Sequence, residues 1–543
     1  MKASKRMVAR LLFYLIQMKK LFLLITLLLS FHNVWGYDAE VNGIFYNLNT
    51  ENYTATVTYK GSNPWEYGGY TGNIVIPEKV TVDGTVYSVT SLGDNCFNGC
   101  YDLTSISIPN SVTSIGEGCF WGCSLPSITI PESVTSLGFA CLSGCLFESI
   151  IVAEGNPVYD SRENCNAIIE TSTNTLIAGC ENTLIPESVT SLGDRCFSAC
   201  GLTSITIPKS VTSLGAECFY LSRWLTSITI PNSVTSLGDQ CFYSCSSLTS
   251  ITIPNSVTSL GEACFYDCSS LISISIPNSV TDLGNYCFMS CSSLKIVTCE
   301  IPSAINNNNL FGSYIPIEKA ALYVPEESLE SYQTTYPWYR FGTINAIPTT
   351  TSVVVGSTGL ATYCSPFNLD FSDVKGLNAY IASGYNAEEG KITMTRVKEI
   401  PANTGFILKG SAGAYTIPVK STEATFENLL MGTVVDAEVS ATDNGYDNYI
   451  LGNGEKGVAF YKSSGGTLAA NKAYLRLPAS ESSSAKAIRM SFDDDATTEI
   501  LLLENENTEE TVTSPVYDLN GMQKSGISNG WNIVNGKKIL IKK

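Results

Sequence analysis

Histidine is almost absent from this chain. It has one in 543 residues, His32, and that residue follows directly on an apolar stretch at 21–29. A mature chain that lacks the leading 36 residues keeps no histidine, and so no Ser-His-Asp or Cys-His nucleophile pair. His-ligated zinc and haem sites are excluded for the same reason. Charge is also scarce, at 15% of residues, and basic residues are the minority: 32 Lys and Arg against 50 Asp and Glu, a net charge of −18. Nucleic-acid binding rests on neutralising phosphates, so a balance this acidic argues against it. Long apolar runs are missing too. The stretch at 21–29 is shorter than the ~20 residues of a membrane-crossing helix. No transmembrane span is expected in the mature chain, and no cofactor.

The first 36 residues hold six Lys and Arg and no acid. Met18-Lys19-Lys20, the apolar stretch and Val34-Trp35-Gly36 give the three-part pattern of a secretory signal. The expectation is a signal peptide at 1–36, with Met18 as the true start of translation and Tyr37 as the mature N-terminus.

What is abundant is a repeat. SVTSLGDQCFYSCSSLTSITIPN occupies 233–255. Its Leu or Ile after the Thr-Ser or Thr-Asp pair falls at Leu92, Ile115, Leu137, Leu192, Leu214, Leu237, Leu260 and Leu283. The period is 22–23 residues, apart from one longer step between Leu137 and Leu192. So short a period means a solenoid, whose units bury their apolar sides only by stacking. Within a unit, Leu248, Ile251 and Ile253 follow the L-x-x-L-x-L strand pattern of a leucine-rich repeat. Ile251 and Ile253 face inward, and Ser250 and Thr252 outward. Pro254 ends the strand, and Val257 and Leu260 turn the chain. Cys241-Phe242-x-x-Cys245 predicts a short helical or 3₁₀ turn whose i and i+4 positions share a face.

The phrase Cys264-Phe265 through Gly284, read as C-F-x-x-C-x-x-L-x-x-I-x-I-P-x-S-V-T-x-L-G, resembles the BspA-type leucine-rich repeat proteins of Bacteroidales surfaces. The resemblance covers 88–345, with Cys where the family usually has Ala before Phe. It implies cell-surface adhesion or host-protein binding.

The fold class expected is mainly β: a leucine-rich repeat solenoid of strand plus short helical turn, then a β-sandwich-like domain. Residues 37–88 read as an N-terminal β cap and 89–345 as the solenoid. A cap is expected at 325–345, opened by Pro325 and acids of a helix start and sealed by Tyr336, Trp338 and Phe341. Short strands between Gly/Asn/Asp turns at 348–492 favour a sandwich. An acidic linker at 493–514 precedes the tail 515–543, where Asn535-Gly536 signals a type I′ hairpin. This tail resembles the C-terminal sorting domains of type IX secretion, which implies a surface-attachment address.

The long step holds a hairpin insertion near 153–182. With the turn centred between Ser172 and Thr173, Cys165 and Cys180 face each other, in reach of a disulfide. Two buried thiols are the alternative. Fifteen of the 19 Cys lie in the repeats, seven pairs as C-x3-C. Zinc sites use such pairs in twos. These recur once per rung and read as small buried residues stacked in ladders.

Two faces are candidate surfaces. The sheet face presents a hydroxyl ladder, Ser105/Ser107, Ser127/Thr129, Ser204/Thr206, Ser227/Thr229, Ser250/Thr252 and Ser273/Ser275. It lacks the Trp, Tyr and Arg of binding hot spots, so it reads as structural. The opposite turn carries Trp121, Tyr220, Tyr243 and Tyr266, with Met289 in phase. These either form an exposed aromatic stripe for a partner or glycan, or lie flat on neighbouring turns and cover the core. The function expected is that of a non-enzymatic secreted protein associated with the outer-membrane surface, binding an extracellular protein or glycan. A structural spacer and a hydrolase with its site in 348–492, where Glu388 and Glu389 are available carboxylates, are the alternatives.

Overall fold

The computed structural model describes residues 36–61, 69–312, 316–482 and 485–493 with side chains, and the backbone of five strands between Leu501 and Lys542. The expected signal peptide and most of the acidic linker lie outside the described residues. Among the described residues, no helix is long and apolar enough to cross a membrane.

The chain opens with antiparallel strands Ala39–Val41, Ile44–Asn49 and Thr54–Thr58. The last of these pairs in parallel with Thr85–Leu92, which starts the solenoid. Two lines of parallel pairing then run along it. One is the expected strand, seen in Ser127–Ile130 with Ser149–Val152 and in Ser250–Thr252, Ser273–Ile276 and Ile296–Cys299. The other was expected to be a turn. Ser236–Leu237, Ser259–Leu260 and Asp282–Leu283 instead pair from rung to rung as two-residue strands.

The Cys-Phe turn also differs from expectation. Gln240 and Ser244 have φ of 53°, in the left-handed region, and Ala263 and Asp267 repeat this one rung on. Right-handed helix cannot pass through such residues. The segment is a chain of tight turns, and alternate N–H groups point along the solenoid axis. Gln240, Phe242 and Ser244 donate to the carbonyls of Glu262, Cys264 and Tyr266, at 2.7, 2.8 and 2.7 Å. The turn therefore forms a third rung-to-rung ladder.

Inside, the phenylalanines stack. Phe197, Phe219, Phe242, Phe265, Phe288 and Phe311 follow one another with centroids 5.3–5.7 Å apart. Trp338 closes this ladder edge-on against Phe311 at 5.5 Å. Its Nε1 donates to the Ile305 carbonyl at 2.8 Å. The helix before it, Leu329–Thr334, buries Tyr332. Tyr336 is only half-buried and packs on Tyr339. Close stacking fixes the glycine of each rung: a Cβ on Gly261 would lie 2.5 Å from the backbone N of Asp239.

The hairpin insertion pairs Ala167–Glu170 with Thr175–Gly179, in the expected register next to the turn. A bulge between Ile168 and Ile169 then shifts it by one residue, to Ala167 opposite Gly179. Cys165 and Cys180 therefore do not face each other. Cys165 joins the core of the following rungs and Cys180 that of the preceding ones. Both are free thiols here. The expected register is thus changed at the two cysteines, because a bulge re-aims the side chains beyond it.

The second domain is built on a ten-stranded sheet, mostly antiparallel, in which Lys391–Val397 and Ala487–Phe492 pair in parallel, together with three two-stranded ribbons. The sheet curls until its ends meet: a Cβ on Gly432, in Leu430–Thr433, would lie 2.4 Å from the Cys364 sulfur at the other end. A ribbon of Thr350–Val355 with Gly413–Pro418 covers a second core. The alternating strands were readable from sequence, but the curl depends on a bulge between Ala382 and Gly384 and on glycine contacts between distant strands.

Phe242→Ala should destabilise the solenoid by about 3–5 kcal/mol, the usual cost of removing a buried phenylalanine. Phe242 is fully buried between two stacked rings. Urea unfolding followed by circular dichroism measures the loss.

Candidate functional site

The sheet face changes character along the solenoid. Ser105, Ser107, Thr129 and Thr206 are exposed, Thr229 and Thr252 are half-buried, and Ser275 is 6% exposed. The second domain is what covers it. The Tyr446 hydroxyl lies 2.8 Å from Thr203 Oγ1. Thr229 and Thr252 donate to the Phe426 and Ala402 carbonyls at 3.2 and 3.1 Å. Ser273 donates to Asn403 Oδ1 at 2.7 Å, and Thr298 to the Pro366 carbonyl at 2.9 Å. Phe367 meets Tyr323 edge-on at 5.0 Å. In its C-terminal half the hydroxyl ladder is thus the seat of the chain's own second domain. Short hydroxyls suit this role: they let backbone approach closely and satisfy the carbonyls it buries. No local sequence signal marks such a seat, because the partner segments lie 68 to 243 residues away.

Glu300 sits in this contact and accepts from Asn368 Nδ2 at 2.8 Å. Its burial raises its pKa above the ordinary 4.5.

The turn face keeps its aromatics. Tyr220 and Tyr243 stack at 4.9 Å, and Tyr243 and Tyr266 at 4.6 Å with planes only 1° apart. Each ring covers part of its neighbour, yet all three stay half-exposed. The two expected arrangements are therefore combined. Trp121 does not join the stack, because the turns carrying Ser143 and Ser198 come between. Two residues that the repeat pattern did not single out extend it. The Arg195 guanidinium lies 5.7 Å from the Tyr220 ring centroid and 4.9 Å from that of Phe139. Glu217 holds it at 2.6 Å, and Phe139 is 48% exposed. Phe139 stands before the repeat's Cys141 and Arg195 just before Cys196, so only stacking across the insertion brings them together.

The cysteines divide by position. First cysteines touch across rungs, as in Cys96 with Cys119 and Cys196 with Cys218, with sulfurs 3.4 Å apart. Second cysteines are donors. Cys245, Cys268 and Cys291 point at the carbonyls of Phe219, Phe242 and Phe265 at 3.2, 3.2 and 3.1 Å. Ser222, in the place of a second cysteine, does the same to Phe197 at 2.8 Å. That replacement was the visible sign that the position needs a donor as well as a small volume. Burial raises the thiol pKa to about 12 at Cys100, Cys141, Cys200 and Cys287, and to about 11 at Cys165 and Cys299. Among the described residues no group of three or more His, Cys, Asp or Glu is placed to hold a metal ion.

Glu388 and Glu389 stand exposed in the turn between Leu377–Asn386 and Lys391–Val397, where Glu389 pairs with Lys391 at 3.2 Å. Exposed neighbours on a turn lack the buried, facing arrangement of a carboxylate pair that divides acid and base roles.

The repeats match the family model described as BspA type Leucine rich repeat region, six copies, over residues 90–223, 174–295 and 214–322. Solved structures give further likenesses. A leucine rich cell surface protein from Faecalibacterium prausnitzii is 23% identical, with a TM-score of 0.35, over 51% of this chain and 97% of that one. The pneumococcal vaccine antigen PcpA is 17% identical, with a TM-score of 0.38, over 57% and 98%. A leucine-rich repeat protein from Bacteroides ovatus is 25% identical, with a TM-score of 0.33, over 57% and 77%. No curated protein matches the chain.

Thiol reagent at pH 8 should leave the native protein nearly unmodified and count all 19 cysteines once denaturant is added, since thiolate is the reactive form and every cysteine is buried and free. A count two short without reductant would mark a bridge. For Glu300 the sign is set by a raised folded-state pKa: its contribution to docking is present at low pH and lost as pH rises through that pKa. Domain docking, followed by limited proteolysis, should weaken from pH 4.5 towards neutrality, and Glu300→Gln should flatten the dependence.

Proposed function

We propose, from the match of residues 90–322 to the BspA-type leucine-rich repeat model, that this protein is a non-enzymatic surface or secreted binding protein, adhering to an extracellular protein or glycan. The observation that carries the reading is the half-exposed stack of Tyr220, Tyr243 and Tyr266, capped by Arg195 beside exposed Phe139. Tyrosine and arginine are the side chains that dominate binding energy at interfaces. Rings held rigid by stacking lose little entropy on binding. The sheet face is occupied by the second domain in its C-terminal half and its hydroxyl ladder carries no aromatic or arginine anchors, so the turn face is the anchor-bearing surface. Display follows from the same reading: the leader at 1–36 directs export, and the tail at 515–543 directs attachment at the outer membrane.

The test is binding of the full chain to immobilised extracellular-matrix proteins and mucin. Tyr243→Ala should weaken the interaction about tenfold, the size of a modest hot spot. Arg195→Ala should weaken it similarly from the edge of the stack. Thermal unfolding of both variants separates lost binding from lost folding. Unchanged binding in two folded variants would remove the tyrosine stack from the function.

A further inference from the structure

Where the curled sheet sits on the solenoid, it leaves a cleft of about 440 Å³. One wall is solenoid, including Ser250 and Ser270. The other is second domain, including Asp436, Glu438, Asp443, Tyr474 and Arg476. Its size is that of small-molecule sites, which place a few convergent polar groups in a concave surface. It is separate from the tyrosine stack.

Arg476 is the informative residue. It is 7% exposed and lines both this cleft and an adjoining one of about 260 Å³. Its Nη2 donates to Asp443, at 3.2 Å to Oδ2 and 3.3 Å to the carbonyl. Its guanidinium lies 4.6 Å from the Tyr446 ring centroid. Its Nε is buried and makes no hydrogen bond. Buried polar atoms are rarely left unpaired, and an orphan calls for an explanation. The orphan on the cleft wall is the Arg476 donor, and a hydroxyl, which accepts as well as donates, matches it.

We propose that this cleft binds a neutral oligosaccharide. A sugar hydroxyl accepts from Arg476, and others donate to the carboxylates of Asp436, Glu438 and Asp443. Serine hydroxyls on the solenoid wall can accept or donate, and the Tyr474 ring offers a flat apolar surface. Three carboxylates against one arginine exclude acidic sugars, because unpaired like charges act against the wrong ligand.

The experiment is calorimetric titration of the full chain with cellohexaose, maltohexaose and chitohexaose. Hexagalacturonate is the acidic counter-probe and pentalysine the basic-peptide one. At least one neutral hexasaccharide should bind with one-to-one stoichiometry, and at least tenfold more tightly than either counter-probe. Ser270→Trp fills the cleft from the solenoid side and leaves every group of the second domain in place. It should weaken binding at least tenfold, with unfolding temperature unchanged. Arg476→Gln should weaken it about ten- to hundredfold, as expected for losing a charge-assisted hydrogen bond. Tyr243→Ala should leave it unaltered, which keeps the outcome distinct from that of the adhesion test. The proposal is overturned if no neutral hexasaccharide binds, so that water alone fills the cleft. It is equally overturned if folded Ser270→Trp binds as the parent does, or if either counter-probe binds more tightly.

Discussion

Rungs of the solenoid are held at a fixed separation by the Cys-Phe turn, and the other features of the repeat answer to that spacing. Left-handed residues at Gln240, Ser244 and their equivalents turn alternate N–H groups along the axis, onto carbonyls of the next rung. The spacing so fixed brings phenylalanines into face-to-face contact and leaves no room for a side chain at Gly261. Each contact alone is small, since a well-placed aromatic pair adds about 0.5–1.5 kcal/mol beyond its burial. Repetition along the axis makes their sum the stability of the domain.

The same constraint gives the cysteines their roles. First cysteines meet across rungs, as at Cys196 and Cys218, and second ones such as Cys245, Cys268 and Cys291 reach the carbonyl of the phenylalanine in the preceding rung. Cysteine serves both because it is small, apolar and a weak donor. Ser222 meets the second requirement with a stronger donor at the same buried place. Burial pushes most of these thiols away from the reactive thiolate form, as at Cys200 and Cys287, which suits a structural part.

The spacing also sets what the outside can do. Tyrosines one rung apart have to stack, so the turn face offers a rigid aromatic edge instead of separate flexible anchors. Hydroxyls one rung apart make a shallow polar surface without anchors, and the second domain occupies it in the C-terminal half. At its N-terminal end the same surface stays open, with Ser105, Ser107 and Thr129 exposed. The hydroxyl ladder thus behaves as two surfaces: one seats a neighbour within the chain, and the other faces solvent.

Sequence by itself determined the period, the inward Leu, Ile and Phe positions, the hairpin in the long step and the aromatic row of the turn face. These were legible because each depends on residues in one rung or on the identity of neighbouring rungs, and the repeat writes both out. Only the tertiary structure decided that Cys165 and Cys180 part company, since one bulge at Ile168 shifts everything beyond it. It alone brought Phe139 and Arg195 to the tyrosines, curled the second domain through glycine contacts between distant strands, and set Arg476 in a cleft facing the solenoid. These features rest on contacts between segments far apart in the chain, where no local pattern fixes which residues meet.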